Sequence, residues 1–389
     1  MSKCILKIGF IVGKQGDATY INKKVMKLKS YKLIPKWLKE GVKKFEDFTN
    51  SYDDDDDDDD DDKEDNGNIP SDVAIAAYIN YYYGDKCDVK LFDGCDVGDE
   101  WGLKDINKMD VVYIIYGVAE ILNDCDDNFK KMKLFQNIMK KTTATVIPSN
   151  NYYEYINNKI GYYKDLEKAG LPVAKSEVYD VSKIKTLKQA ENLKQKLLKF
   201  GKTIIAKPAL GAYSYGVKIF KNLNATKTKS ILAYAKKLQK KGYKKIIVQD
   251  FVETFAENYE VRTYWINTGK TYKYVYSFAS KLDVKAGNWD KFDTFAKEGG
   301  KLNNKLLEDM KKLAKKTIKV TKNINPLTPW IRVDIGCCLD GGKLGKGGQI
   351  FVNELETIGC NLLTNKTEKD IIPLFANAAY KLAKKYTKK

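Results

Sequence analysis

The sequence predicts an α/β fold: a parallel α/β domain at the N-terminus, then a mixed α+β region. Three observations carry this. Apolar strands alternate with helical patterns through the first 150 residues, the signature of a parallel sheet with crossover helices. Beyond residue 200 strand pairs, at 206–220 around a loop and at 259–278 around Thr268-Gly269, are mixed with separate helices, as in an α+β region. The length, 389 residues, suits two or three domains.

Taken in order, CILKIGFIV (4–12) reads as a buried strand. Lysine-rich sequence, ten consecutive aspartates (53–62) and NGN make 22–69 a polar insertion. Adjacent like charges repel, so its acidic part near 45–69 is expected to be disordered or extended. SDVAIAAYINYYYG (71–84) opens on Ser/Asp and closes at glycine, as a helix does. Strands follow at 87–93, 109–117 and 143–149, with an amphipathic helix at 128–141. One helix is expected over 150–170, ended by Gly170 with Pro172 beyond, and another over 186–200. AKPALGAYSYGVKIF (206–220) reads as two strands around a small-residue loop. A helix at 225–241 leads to strands at 244–252, 259–267 and 270–278, the last two joined at Thr268-Gly269. A helix at 302–320, strands at 330–340 and 349–356 around GGKLGKGG, and a helix at 368–386 complete the chain. The expected domains are 1–150, 151–255 and 256–389.

Composition excludes whole classes of chemistry. There is no histidine, so no Ser-His-Asp or Cys-His nucleophile system and no His-ligated metal. Seven cysteines stand at 4, 87, 95, 125, 337, 338 and 360, without a CxxC pair. They read as reduced, buried residues of a cytoplasmic protein. No apolar run approaches the ~18 residues of a membrane span, and MSKCILKIGFIVG lacks the cleavage site of a signal peptide. Net charge is +18, or +28 once the ten negative charges of the aspartate run are set aside. Such a balance attracts acidic partners, namely nucleic acid, phosphorylated metabolites or acidic peptides, and fits equally a lysine-rich surface that serves solubility, the preferred reading. The even spread of lysine, with no basic-aromatic cluster, argues against nucleic acid.

Of the 69 basic residues only Arg262 and Arg332 are arginine. A guanidinium grips phosphate or carboxylate through a planar fork that lysine cannot copy, which singles these two out. In the loop after Lys207, Gly211, Ser214 and Gly216 let backbone amides approach a ligand, with the lysine as a point charge. That suits a polyphosphate, although GxxxxGK[ST] is absent. Asp334 lies in the apolar strand WIRVDIG, two residues after Arg332, and Glu354 and Glu356 alternate in FVNELE. Each pair shares a strand face. An all-oxygen donor set suits Mg²⁺ bridging to nucleotide phosphates; an ordinary solvent-facing sheet with salt bridges fits the same residues.

In this order, NK in a helix, AKP with its glycine hairpin, IIVQDFV, YEVRTYWI, IRVDIG and FVNELE resemble the ATP-grasp superfamily over roughly 150–365. The resemblance implies a two-subdomain ATP-grasp fold behind the N-terminal α/β domain. It assigns Lys159 and Lys207 to ATP phosphates, 210–216 to a lid, and Gln249, Asp250 and Val252 to the adenine hinge. It assigns Glu260 to the ribose, Asp334, Glu354 and Glu356 to Mg²⁺ (or Mn²⁺), and Arg262 and Arg332 to the reacting oxyanions. The implied activity is an ADP-forming carboxylate–amine ligase working through an acylphosphate. A small-molecule kinase on an anionic substrate is the alternative. The partners implied are a small carboxylate and an amine, with no membrane, and a homo-oligomer is compatible. VQDFV and the E-x-R placement are closest to the glutamate-ligase and glutathione-synthetase branch. Where many relatives read E-x-N before a Pro-Gly turn, this chain reads Glu354-Leu355-Glu356 without the proline. The tract 281–300 is expected near the acceptor site.

Overall fold

The computed structural model describes residues 5–13, 20–21, 32–33, 35–48, 69–126, 128–157, 159–211, 215–252, 259–283, 288–294, 304–321, 328–337, 339–340, 343–344, 350–357, 362 and 370–387. The aspartate run 53–62 and Ser214 lie outside these residues.

The N-terminal unit contains β1 (Leu6–Val12), the short β2 (Tyr20–Ile21) and β3 (Lys32–Leu33), and α1 (Lys36–Gly41), which runs into a 3₁₀ turn at Val42–Phe48. Then come α2 (Ser71–Tyr83), β4 (Cys87–Asp93), α3 (Leu103–Ile106), β5 (Val111–Ile114), α4 (Val118–Asp124), α5 (Asn128–Lys141) and β6 (Thr145–Ile147). Strands β4-β1-β5-β6 form one sheet, parallel at every junction. Side chains alternate across it: Ile8, Phe10 and Val12 pack toward α2, while Ile11 packs toward α4 and α5. The stretch read as polar insertion is not polar throughout. Trp37, Leu38 and Phe45 are buried in the first core, because the apolar side chains of α1 and its 3₁₀ turn fall on the side facing α2.

Next stand α6 (Asn150–Asn157), α7 (Ile160–Lys168), β7 (Ser176–Asp180), α8 (Leu187–Leu197), β8 (Ile204–Pro208), β9 (Lys218–Phe220), α9 (Thr228–Lys240) and β10 (Lys245–Asp250). Strands β7-β10-β8-β9 make an antiparallel sheet backed by α8 and α9. The helix expected over 150–170 is two helices, and at the junction the Lys159 amide donates to the Ala209 carbonyl at 3.2 Å instead of continuing the ladder. The apolar stretch at 206–220 is the expected hairpin, with β8 and β9 paired from Ile204↔Phe220 to Ala206↔Lys218.

The last part comprises β11 (Tyr259–Asn267), β12 (Tyr272–Asp283), β13 (Asn288–Thr294), α10 (Asn304–Thr321) and β14 (Trp330–Cys337). The short β15 (Leu339–Asp340) and β16 (Lys343–Leu344), β17 (Ile350–Glu356) and α11 (Ile372–Tyr386) follow. Strands β13-β12-β11-β14-β17 form the largest sheet. Its Val261, Val333 and Ile335 face pack against Met310, Leu313 and Ala314 of α10. Helix α11 does not stay with this sheet alone. It fills the space between it and the N-terminal sheet: Phe375 meets Trp330 edge-on at 5.2 Å, Tyr380 stacks on Tyr83 at 3.8 Å, and the Tyr113 hydroxyl donates to the Ala379 carbonyl at 2.5 Å.

The expectation that all cysteines are reduced is corrected. Cys95 and Cys125 are disulfide-bonded, while Cys87 and Cys337 are free and buried. The partners are 30 residues apart in sequence and meet because the loop after β4 and the end of α4 close over Tyr116, a proximity no spacing rule encodes. Among the described residues no helix is long and apolar enough to cross a membrane.

Candidate active site

Strand register builds the site. In antiparallel pairs, residues directly opposite share a face. Arg262 lies opposite Asp334, Asp334 opposite Glu354, and Arg332 opposite Glu356. Glu260, two residues before Arg262, lies opposite Gly336. Six ionic side chains from β11, β14 and β17 therefore stand on one sheet face, including both arginines of the chain. Glu260, Arg262, Arg332 and Asp334 are all buried, Asp334 at 1% exposure.

These charges are paired among themselves. Arg332 forks onto Asp334, with Nε donating to Oδ1 and Nη2 to Oδ2, each at 2.8 Å. Its Nη2 also lies 3.6 Å from a Glu356 oxygen. Burial opposes the guanidinium charge, but Asp334 and Glu356 outweigh it and hold the pKa well above the usual value. Arg262 Nε donates to Glu260 at 3.0 Å. Burial and the neighbouring Arg332 work against its charge, and Glu260 and Asp334 reverse the balance.

Two lysines meet this face from the other side. Lys159, at the head of α7, pairs with Glu354. Lys207, in β8, lies 3.5 Å from the Tyr163 hydroxyl and over that ring. Burial pushes both lysines down to about 8; mutual repulsion adds to the effect at Lys159. Lys207 and Gln249 emerge on one face of the second sheet, through the pairs Ile247↔Lys207 and Gln249↔Ile205. Gln249 is buried and donates to the Ser176 hydroxyl at 2.8 Å. Asp250, next along β10, lies on the opposite face, so of these two only Gln249 offers its side chain to the site. Val252 follows the strand and is half-buried.

The hairpin loop is partly described. Gly211 has ordinary space around it. Gly216 has φ +71°, and a Cβ there would sit 2.7 Å from Leu238 and 2.8 Å from Pro208, so glycine is required.

Three contributors went unread in the sequence. Asn353 occupies a bulge in β17 and donates to Glu260 at 2.6 Å. Tyr163 donates to the Asn353 carbonyl, and its neighbour Tyr162 accepts from the Leu355 amide at 3.4 Å. Lys159, Tyr162 and Tyr163 stand at i, i+3 and i+4, a spacing that signals one helix face. Glu120 is the third. It is buried at the start of α4, where the Gly117 amide donates to it at 3.1 Å. Burial raises its pKa to about 7, and Glu356 adds to the rise. The N-terminal unit thus brings a carboxyl within electrostatic reach of the strand carboxylates.

Asp334, Glu354 and Glu356 supply only oxygen donors from adjacent strands on one face, which suits a hard cation. As they stand, Arg332 pairs with Asp334 and Glu356 and Lys159 with Glu354, and among the described residues no three such side chains are arranged to hold a metal ion.

No protein-family model matches the sequence, and no curated protein matches it. Solved structures do. D-cycloserine synthetase DcsG matches with a TM-score of 0.53 at 16% identity, over 77% of this chain and 90% of that one. The ADP complex of purK, N5-carboxyaminoimidazole ribonucleotide synthetase, matches with a TM-score of 0.51 at 14% identity, over 97% of this chain and 78% of that one. In this chain a parallel N-terminal sheet is followed by two main antiparallel sheets. The chain has the fold of the ATP-grasp superfamily, which its ordered motifs resemble.

Proposed function

We propose that the chain is an ATP-dependent ligase that joins a carboxylate to an amine through an acylphosphate, releasing ADP and phosphate. One observation carries this reading: the only two arginines lie buried on one sheet face, interleaved with four carboxylates and met by two half-buried lysines. A lysine-rich chain that reserves arginine for these positions favours forked recognition of oxyanions there.

In this reading Lys159 and Lys207 bind the ATP phosphates, and the loop 210–216, Gly211, Ser214 and Gly216 included, covers them. Gln249, Asp250 and Val252 border the adenine, with Asp250 acting through its backbone. Glu260 accepts from the ribose hydroxyls. Arg262 and Arg332 hold the acyl carboxylate and the charge that develops as the amine attacks. Asp334, Glu354 and Glu356 are the residues to hold Mg²⁺ or Mn²⁺, which when bound neutralises phosphate oxygens. Lys159 leaves Glu354 for a phosphate when the site fills. Among solved structures of this fold, one is described as a D-cycloserine synthetase and one as an ADP complex, consistent with this reading. The reading places the chain where ATP is supplied, the cytoplasm; the Cys95–Cys125 bond stands against that setting, where disulfides are rare.

The test is a screen of carboxylates paired with amines for stimulated ADP formation, with mass spectrometry of the product. Phosphate release that requires both co-substrates supports the ligase. A phosphorylated product without phosphate release replaces it with the kinase.

A further inference from the structure

Away from the ionic face, a groove of about 820 Å³ opens between the β11–β12 turn, α10 and α11. Its rim carries Lys270, Lys312, Lys315, Lys316, Lys319 and Lys385, and among the described residues no carboxylate lines it. Trp265 and Tyr272 form its floor. Both are buried, with their polar atoms bonded to Thr263 and Thr328.

The lysines are placed against their own repulsion. Lys312, Lys315, Lys316 and Lys319 fall at i, i+3, i+4 and i+7, one stripe of α10. Lys312/Lys316 and Lys315/Lys319 are like-charge i, i+4 pairs, which destabilise a helix. Only Lys312 has an ion-pair partner among the described residues, Asp309 at 3.2 Å, on its own helix. Complementing the helix dipole explains a cation in the last turn, as for Lys319 and Lys385, but not the three further back. Six converging cations around a concavity without an acid call for an anion.

The groove fits a strung-out anion better than a compact phosphate. It offers no arginine fork, and the helices reach it with their C-terminal halves, whose partial charge disfavours phosphate. The chain carries a strung-out anion itself, aspartates 53–62. Phe48 and Ile69, which bracket that segment, pack in the same apolar cluster as Leu382, a residue of the groove wall. Asp53 follows Phe48 by five residues and Asp62 precedes Ile69 by seven, so the tract's ends can lie up to about 17 Å and about 23 Å from these two anchors. We propose that this groove is a second binding site, selective for a run of carboxylates, and that its occupant is the chain's own aspartate tract 53–62.

The test uses full-length protein and a fluorescent deca-aspartate peptide, read by anisotropy at about 0.05 M and 0.3 M salt. The forms compared are wild type and a chain with aspartates 53–62 replaced by serine. The second form is also made with Lys312→Gln, Lys315→Gln, Lys316→Gln and Lys319→Gln. A control carries Lys229→Gln, Lys236→Gln, Lys237→Gln and Lys240→Gln on exposed positions of α9 instead. A tethered tract acts at an effective concentration of about 1 mM, so wild type should bind the peptide at least about tenfold more weakly than the serine form. The α10 changes should remove about tenfold of the serine form's affinity, and the α9 changes less than about threefold. If the α10 variant fails to fold, Lys270→Gln with Lys385→Gln on the other two walls should lose about threefold. Equal affinity of wild type and the serine form overturns the assignment of the occupant. Equal losses from α10 and α9 reduce the groove to general charge and overturn the site. Inorganic polyphosphate binding about tenfold tighter than the peptide, with the same lysine dependence, overturns the carboxylate selectivity.

Discussion

Arg332→Lys is the sharpest perturbation of the candidate site, because it keeps the charge and removes only the fork. Arg332 makes two 2.8 Å hydrogen bonds to Asp334 and approaches Glu356 at 3.6 Å, with Arg332 at 6% and Asp334 at 1% exposure. A lysine ammonium can replace one of the two, so one charge-assisted bond is lost, about 1.5–3 kcal/mol of stability. Arg332→Met goes further and leaves Asp334 buried without its counter-charge, which costs about 3–5 kcal/mol. If the guanidinium also stabilises developing negative charge, Arg332→Lys should lower the rate of ADP formation by about 10²–10³-fold. Urea unfolding with unchanged m reads the first quantity, and a coupled ADP assay on protein that is still folded reads the second. Lost stability with an intact rate would make Arg332 a structural tie. A change below about 0.5 kcal/mol together with a wild-type rate would refute the argument from fork geometry altogether.

Further outcomes follow from the same charges. Glu120 is raised from 4.5 to about 7, so the native state holds its proton longer than the unfolded chain does. Its contribution is complete below pH 4.5 and lost as pH rises through about 7. Glu120→Gln should therefore gain about 3 kcal/mol relative to wild type between those values, measured by urea unfolding across pH, and a pH-independent difference would remove the buried carboxyl from the account. Lys207 sits near 8, so ATP binding should weaken above about pH 8 and take up protons at pH 8.5, seen by calorimetry in buffers of different ionisation heat. Lys207→Met should abolish part of that uptake. Thiol titration of the denatured, unreduced protein should count no more than five of the seven cysteines; seven would rule out the Cys95–Cys125 bond.

Elements with an unbroken pattern between clear stops were legible in the sequence. Strand 87–93, helix 128–141 and strand 259–267 have the expected boundaries. The misses have physical causes. Helix α1 hides in a lysine-rich stretch whose few apolar residues find partners only on α2. Strand β7 is a half-buried edge with no alternation to read. The break before Lys159 is made by the Ala209 carbonyl, just past the end of β8. In the site, the rarity of arginine and the i, i+2 carboxylates were visible because they are local. Asn353 was not, since its role depends on a bulge at Asp334/Ile335. Glu120 was not either, because it reaches the site through the packing of two units.

The paired charges bear on how a nucleotide could enter. By formal charge, Glu260, Asp334, Glu354 and Glu356 are balanced by Arg262, Arg332, Lys159 and Lys207, four against four. A buried cluster of this kind tolerates an added charge poorly, since an uncompensated ion in a low dielectric is costly. ATP alone would add about four negative charges, whereas ATP entering with two divalent cations adds none and lets Lys159 exchange Glu354 for a phosphate. ATP affinity should therefore fall by at least about 100-fold when Mg²⁺ is chelated, more than loss of simple phosphate contacts would give. Glu354→Gln should narrow that gap, because it leaves the resting site with one positive charge in excess and a weaker hold on Lys159. Equal affinities with and without Mg²⁺ would mean that the four carboxylates serve the arginines and lysines alone.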